Sequence, residues 1–128
     1  LDGFKEVNDT FGHAAGDEVL RQVSQRLLTC LRGTDTIARV GGDEFLLVTT
    51  EMHSGDDAAI IASKVQACVS RPVFANGQRI LIGASIGISL YPDQGSDADR
   101  LISLADEAMY RVKKSGKNGF AFASDIAP

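Results

Sequence analysis

The stretch RVGGDEF, Arg39 to Phe45, sets two carboxylates directly after two glycines. Gly41 and Gly42 have no side chains, so another molecule can approach the backbone there. Asp43 and Glu44 offer hard oxygen ligands, the kind that Mg²⁺ takes alongside phosphate oxygens. Open backbone beside carboxylates is what a nucleotide–metal site needs. An acidic turn facing solvent would use the same four residues, and alone they leave both readings open.

A second polar cluster lies near the start of the chain. LDGFKEVNDTFGHAAGD gathers Asp2, Lys5, Asn8, Asp9, His13 and Asp17 among three glycines. An Asn and an Asp can together read a guanine edge, the amide at O6 or N7 and the carboxylate at N1–H and the 2-amino group. Lys5 can hold a phosphate as a point charge. Asn8, Asp9 and Asp17 are equally good turn and helix-cap residues, so a purely structural reading competes.

The elements that must position these residues follow from periodicity. The runs TIARV and FLLVTT flank the Gly-Gly step and predict a β-hairpin, Thr36 to Val40 and Phe45 to Thr50. Leu20, Val23, Leu27 and Leu31 recur at steps of three and four, which predicts a helix from Ala14 to Leu31. Asp56 to Ser70 reads as a second helix with Ile61, Val65 and Val69 on one stripe, ended by Pro72. ANGQ reads as a turn. RILIGASIGISLY then alternates Ile80, Ile82, Ala84, Ile86, Ile88 and Leu90 with Leu81, Gly83, Ser85, Gly87 and Ser89. That predicts one long strand with a core face and a face small enough for a helix or ligand to come close. A third helix carries Leu101, Leu104, Ala108 and Val112 inward, opening with acids and closing with lysines in accord with its dipole. GFAFA predicts a short last strand. Helices alternating with a sheet that is at least partly antiparallel predict the α+β class, with a central sheet flanked by helices.

Composition sets the outer bounds. The 128 residues suit one domain and one core, with a hydrophobic fraction of 44% and a charged fraction of 23%. No apolar stretch is long enough to span a bilayer, so no direct membrane contact is expected. A net charge of −4 argues against a nucleic-acid partner. Cys30 and Cys68 lack metal-ligand spacing and read as reduced, buried thiols of a cytoplasmic domain.

Four segments in order, LDGFKEVNDTFGHAAGD, RGTDTIARVGGDEF, ASIGISLYPD and ADEAMYRVKKSGKN, resemble the GGDEF domain of diguanylate cyclases, and the resemblance runs over residues 1–128. It implies a palm-like nucleotide cyclase fold and the joining of two GTP molecules into cyclic di-GMP and two pyrophosphates. It also implies a homodimer with one GTP presented by each domain, and Mg²⁺ or Mn²⁺ on the phosphates. By position, Asp43 would be a metal ligand and the proposed general base, with Glu44 the neighbouring acid. The backbone carbonyl of Leu1 would be a further metal ligand. Asn8 and Asp17 would bind guanine, and His13 falls at another substrate-contact position. Phe4 and Lys5 match the phosphate-binding turn, Gly42 the open backbone of the hairpin, and Lys113 and Lys117 the basic pair after the last helix. Lys117 stands where an arginine is common, which keeps charge but loses the bidentate fork.

Arg32 and Asp35, in RGTD, match the family's inhibitory site for product. An arginine that ends a helix and an aspartate in a turn would account for the same residues. One departure from the family pattern concerns metal binding. Family members carry a further metal-binding aspartate immediately before the position of Leu1, preceded by a strand and helices. The chain as it begins is therefore expected to be N-terminally truncated and catalytically weak, within a parent protein that can be membrane-anchored. Two rival functions stand beside the cyclase. One is a non-catalytic module that senses GTP or cyclic di-GMP and regulates an attached domain. The other is a dimerisation adaptor with no nucleotide.

Overall fold

The computed structural model describes residues 1–50 and 55–123. Its elements run α1 (Phe4–Phe11), α2 (His13–Cys30), β1 (Thr36–Arg39), β2 (Phe45–Val48), α3 (Gly55–Ser70), β3 (Val73–Ala75), β4 (Gln78–Ile80), β5 (Ser85–Ile88), α4 (Ala98–Lys114) and β6 (Gly119–Phe122). Helices α2, α3 and α4 and the hairpin lie where the periodicity puts them, and the α+β class stands.

Helix α2 is the spine. Its residues Val19, Val23 and Leu27 are almost fully buried against Val65 and Val69 of α3, Val73 of β3 and Ile80 of β4. Burying each such side chain contributes about 1.5–3 kcal/mol, and Leu27→Ala would cost about 2–5 kcal/mol. Arg26 locks the two helices together in an antiparallel sense. Its guanidinium donates to the carbonyls of Arg71 at 2.7 Å, Pro72 at 2.6 Å and Cys68 at 3.3 Å. Those are carbonyls at and beyond the end of α3, where Pro72 stops the helix and leaves acceptors without intrahelical donors.

Three features differ from the sequence reading. Residues 4–11 form α1 rather than a turn, because Phe4, Val7 and Phe11 make a helical stripe that packs on the core. The stretch from Arg79 to Tyr91 is not one strand. It pairs in turn with β3 through β4, with Asp2 at Gly83, and with β6 through β5. The alternation survives, since Ile80, Ile82 and Ala84 are buried, while the hydrogen-bonding partner changes. Third, Cys30 and Cys68 are joined as a disulfide and both are half-buried, not reduced and buried. The antiparallel packing of α2 on α3 brings the two cysteines face to face.

Among the described residues the strands form three separate two-stranded sheets. β1 pairs with β2 antiparallel, Thr36 opposite Val48 and Arg39 opposite Phe45. β5 pairs with β6 in parallel. The expected small face does admit a helix: a Cβ on Gly87 would lie 1.8 Å from the Ala105 carbonyl oxygen of α4. Ser89 Oγ donates to the Leu101 carbonyl at 2.7 Å on the same face. Helix α4 begins at Asp97, whose carboxylate accepts from Arg100 N at 3.2 Å, and ends in Arg111, Lys113 and Lys114. Among the described residues no helix is long and apolar enough to cross a membrane.

Candidate functional site

The hairpin tip is held by its own backbone and by Arg39. Val40 N donates to Glu44 O at 3.0 Å, and Arg39 Nε donates to the carbonyls of Gly41 at 3.2 Å and Gly42 at 3.0 Å. Gly42 has open space where a Cβ would stand. Glu44 is exposed, and the Asp43 side chain is 33% exposed.

The start of the chain docks on this tip. Leu1 N donates to the Asp43 carbonyl at 2.8 Å and lies 4.0 Å from Asp43 Oδ2. Asp43 and Glu44, chosen from sequence, thus sit on the tip that meets Leu1.

Asn8 of α1 reaches α2 across the junction. The Asn8 side chain lies over Gly16, the residue before Asp17, where an added Cβ would meet Asn8 Oδ1 at 1.9 Å. Glycine at position 16 is thus a condition for this seat of the Asn8 side chain. Gly12 makes the sharp turn between the helices with φ 91°, donating to Asn8 O at 2.9 Å. Asp17 is exposed and, with Leu20, Arg21, Ser24 and Arg39, lines a cavity of about 270 Å³. Arg39 is a participant that the sequence reading passed over, though it stands in the quoted motif.

Lys5 is exposed in the first turn of α1, and His13 is exposed at the first residue of α2. The Phe4 side chain belongs to the core, 9% exposed, so only its backbone is left for a ligand. Lys113 is half-buried near the end of α4. Lys117 is exposed beyond it, at φ 64° between Gly116 at φ 121° and Asn118 at φ 47°. It borders a depression of about 380 Å³ shared with Arg111, Ser115, Phe120 and Phe122. Asp2, a member of the polar cluster to which the sequence reading gave no role, is buried and bonded to Ser85 and Asn118. A carboxylate between an aliphatic residue and a glycine, just ahead of a buried Phe, was the available signal.

Arg32 and Asp35 are engaged within the chain. Asp35 Oδ2 accepts from Arg32 N at 2.9 Å, Asp35 Oδ1 accepts from Thr50 N at 3.2 Å, and Arg32 donates to the Thr50 carbonyl. These bonds, the one from Arg32 N foremost, hold the Asp35 carboxyl below its ordinary 3.8. The Asp35 side chain is 1% exposed, that of Arg32 49%.

For a metal, the hairpin end has hard oxygen donors in Asp43, Glu44 and backbone carbonyls. No group of three His, Cys, Asp or Glu side chains converges among the described residues. The donors therefore fit an ion that completes its shell with substrate phosphates, the usual habit of Mg²⁺.

The α+β frame with its acid-tipped hairpin is that of the palm-like nucleotide cyclase class. The chain belongs to the GGDEF family: the model of the diguanylate cyclase GGDEF domain matches residues 1–119. It is 46% identical over 122 residues to the bifunctional diguanylate cyclase/cyclic di-GMP phosphodiesterase MucR of Pseudomonas aeruginosa, covering 95% of this chain and 18% of MucR. It superposes on the GGDEF domain of TpbB from the same organism with a TM-score of 0.91 at 38% identity, covering 96% of this chain and 72% of that one. It is similar too to the GGDEF domain of DgcB from Caulobacter crescentus in complex with cyclic di-GMP, with a TM-score of 0.85 at 28% identity. That match covers 95% of this chain and 72% of the DgcB chain.

Proposed function

We propose that this domain condenses two GTP molecules into cyclic di-GMP, releasing two pyrophosphates, as one half of a homodimer on the cytoplasmic side. The observation that carries this reading is the 2.8 Å bond from Leu1 N to the Asp43 carbonyl, which seats the hairpin acids against the α1 segment. Phosphoryl transfer asks for positioning and charge neutralisation more than covalent help. Asn8 and Asp17 would hold the guanine. Lys5, Lys113, Lys117 and the backbone at Phe4 and Gly42 would hold the triphosphate, with His13 at its edge. Asp43, Glu44 and the Leu1 carbonyl would hold Mg²⁺ or Mn²⁺, which when bound neutralises phosphate charge. The 3′-hydroxyl of each GTP would then attack the α-phosphate of the other, with Asp43 as base and pyrophosphate as leaving group.

Arg32 and Asp35 would take the product as an inhibitory site. Arg32 is half exposed, and a ligand there would have to displace its bond to Thr50. A sensing module without turnover is the second reading, favoured by the phosphodiesterase that accompanies the cyclase in the MucR name.

The full-length protein, given GTP and Mg²⁺, should make cyclic di-GMP and pyrophosphate, and Asp43→Ala should abolish both. A folded dimer that binds GTP without product would sink the cyclase reading and leave the sensor.

A further inference from the structure

A buried carboxylate is costly unless its lone pairs are satisfied. Asp2 is 9% exposed, and its carboxylate is held by two donors. The single hydroxyl of Ser85, itself buried, is shared between Oδ1 at 2.9 Å and Oδ2 at 2.7 Å, while Asn118 N donates to Oδ2 at 2.8 Å. The last bond spans 116 positions of the chain.

Its far end is a strained turn. Gly116, Lys117 and Asn118 all have positive φ, which for a non-glycine residue is costly and persists only where surroundings impose it. Three bonds impose it here. Lys117 N donates to Val112 O at 3.0 Å, Asn118 N to Asp2, and Ala84 N to Asn118 Oδ1 at 3.3 Å. Gly83 makes room, since an added Cβ would lie 2.9 Å from Asn118 Oδ1.

The near end of Asp2 is the hairpin side. Asp2 N donates to Gly83 O at 2.7 Å, Gly83 N donates to Asp2 O at 3.1 Å, and Leu1 bonds Asp43. One carboxylate thus ties the segment that meets the acid tip to the turn that carries Lys117. The Lys117 side chain makes no hydrogen bond or ion pair among the described residues, so its backbone alone places its ammonium.

We propose that Asp2 is a positioning residue for the triphosphate: it sets the separation between Lys117 and the hairpin acids without touching the ligand. This rests on the reading of Lys117 as a phosphate-binding lysine. The test is calorimetric binding of a non-hydrolysable GTP analogue with Mg²⁺, and of GMP, to the full-length protein and its variants. Asp2→Asn keeps the shape and loses the charge-assisted bonds; Ser85→Ala is a second, milder variant should the first fail to fold. Asp2→Asn should weaken the GTP analogue by about tenfold, the scale of one charge-assisted hydrogen bond, and leave GMP unchanged. The double variant Asp2→Asn/Lys117→Ala should be no weaker than Lys117→Ala alone, because both remove the same contact. Equal loss for GMP, or additive loss in the double variant, overturns the proposal and makes Asp2 a fold residue. If Lys117→Ala leaves the GTP analogue unaffected, the lysine assignment itself fails, and the role of Asp2 with it.

Discussion

Strand β1 carries an acid-bearing turn at each end, and the two acids are used in opposite ways. Asp35, before the strand, has its side chain 1% exposed and its oxygens taken up by Arg32 and Thr50. Asp43, after the strand, has a side chain 33% exposed that makes no hydrogen bond among the described residues. Both turns combine an arginine, glycine and aspartate within a few residues. An aspartate whose lone pairs are filled from its own chain holds a turn together, and one with lone pairs left over can take a ligand. The Asp35 carboxylate is thus engaged in holding its own turn, while that of Asp43 is left more open.

The largest expected effect breaks the chemistry alone. Asp43→Ala should lower cyclic di-GMP formation by at least ~100-fold, while the unfolding free energy stays within about 0.5 kcal/mol of wild type. Asp35→Ala should do the reverse: a melting temperature lower by a few degrees, with affinity for GTP unchanged by calorimetry. If the stability loss fell on Asp43 and the activity loss on Asp35, the contrast would be wrong.

Arg32→Ala sharpens the comparison, because the guanidinium is the half-exposed partner of that closed turn. It should abolish inhibition by added cyclic di-GMP and leave initial rates unchanged. Gly42→Ala should fold normally, since open space surrounds the position, and raise KM for GTP a few-fold by crowding the backbone approach.

The smallest effect is the pH dependence. The folded Asp35 carboxyl lies below its ordinary 3.8, so its bonds stabilise above that value and fail as pH falls through the folded one. Asp35→Asn should therefore be less stable than wild type at neutral pH, and the gap should close in acid. Melting curves across that range would show it.

Much of this was legible in the chain because it is local. Leu20, Val23 and Leu27 repeat at helical spacing, and α2 buries them. Gly41 and Gly42 between β-branched runs specify a hairpin whatever surrounds it. The resemblance carried by four ordered segments added the family. The burial of the Phe4 side chain was not legible, because matching a motif position does not say whether side chain or backbone faces a ligand. Cys30 and Cys68 were misjudged because whether two thiols meet depends on how α2 crosses α3. The run from Arg79 to Tyr91 was taken as one strand because alternation records only which face is buried. Which backbone pairs with which is settled by segments elsewhere.

The sequence by itself determined helices α2, α3 and α4, the hairpin, the family and the set of polar residues available, since each rests on contacts within a few positions or on a motif. Only the tertiary structure decided that Leu1 meets Asp43, that Asn8 lies over Gly16, and that Asp2 reaches Ser85 and Asn118. Bonds spanning 42, 83 and 116 positions leave no periodic trace, because each depends on the whole chain having folded around it.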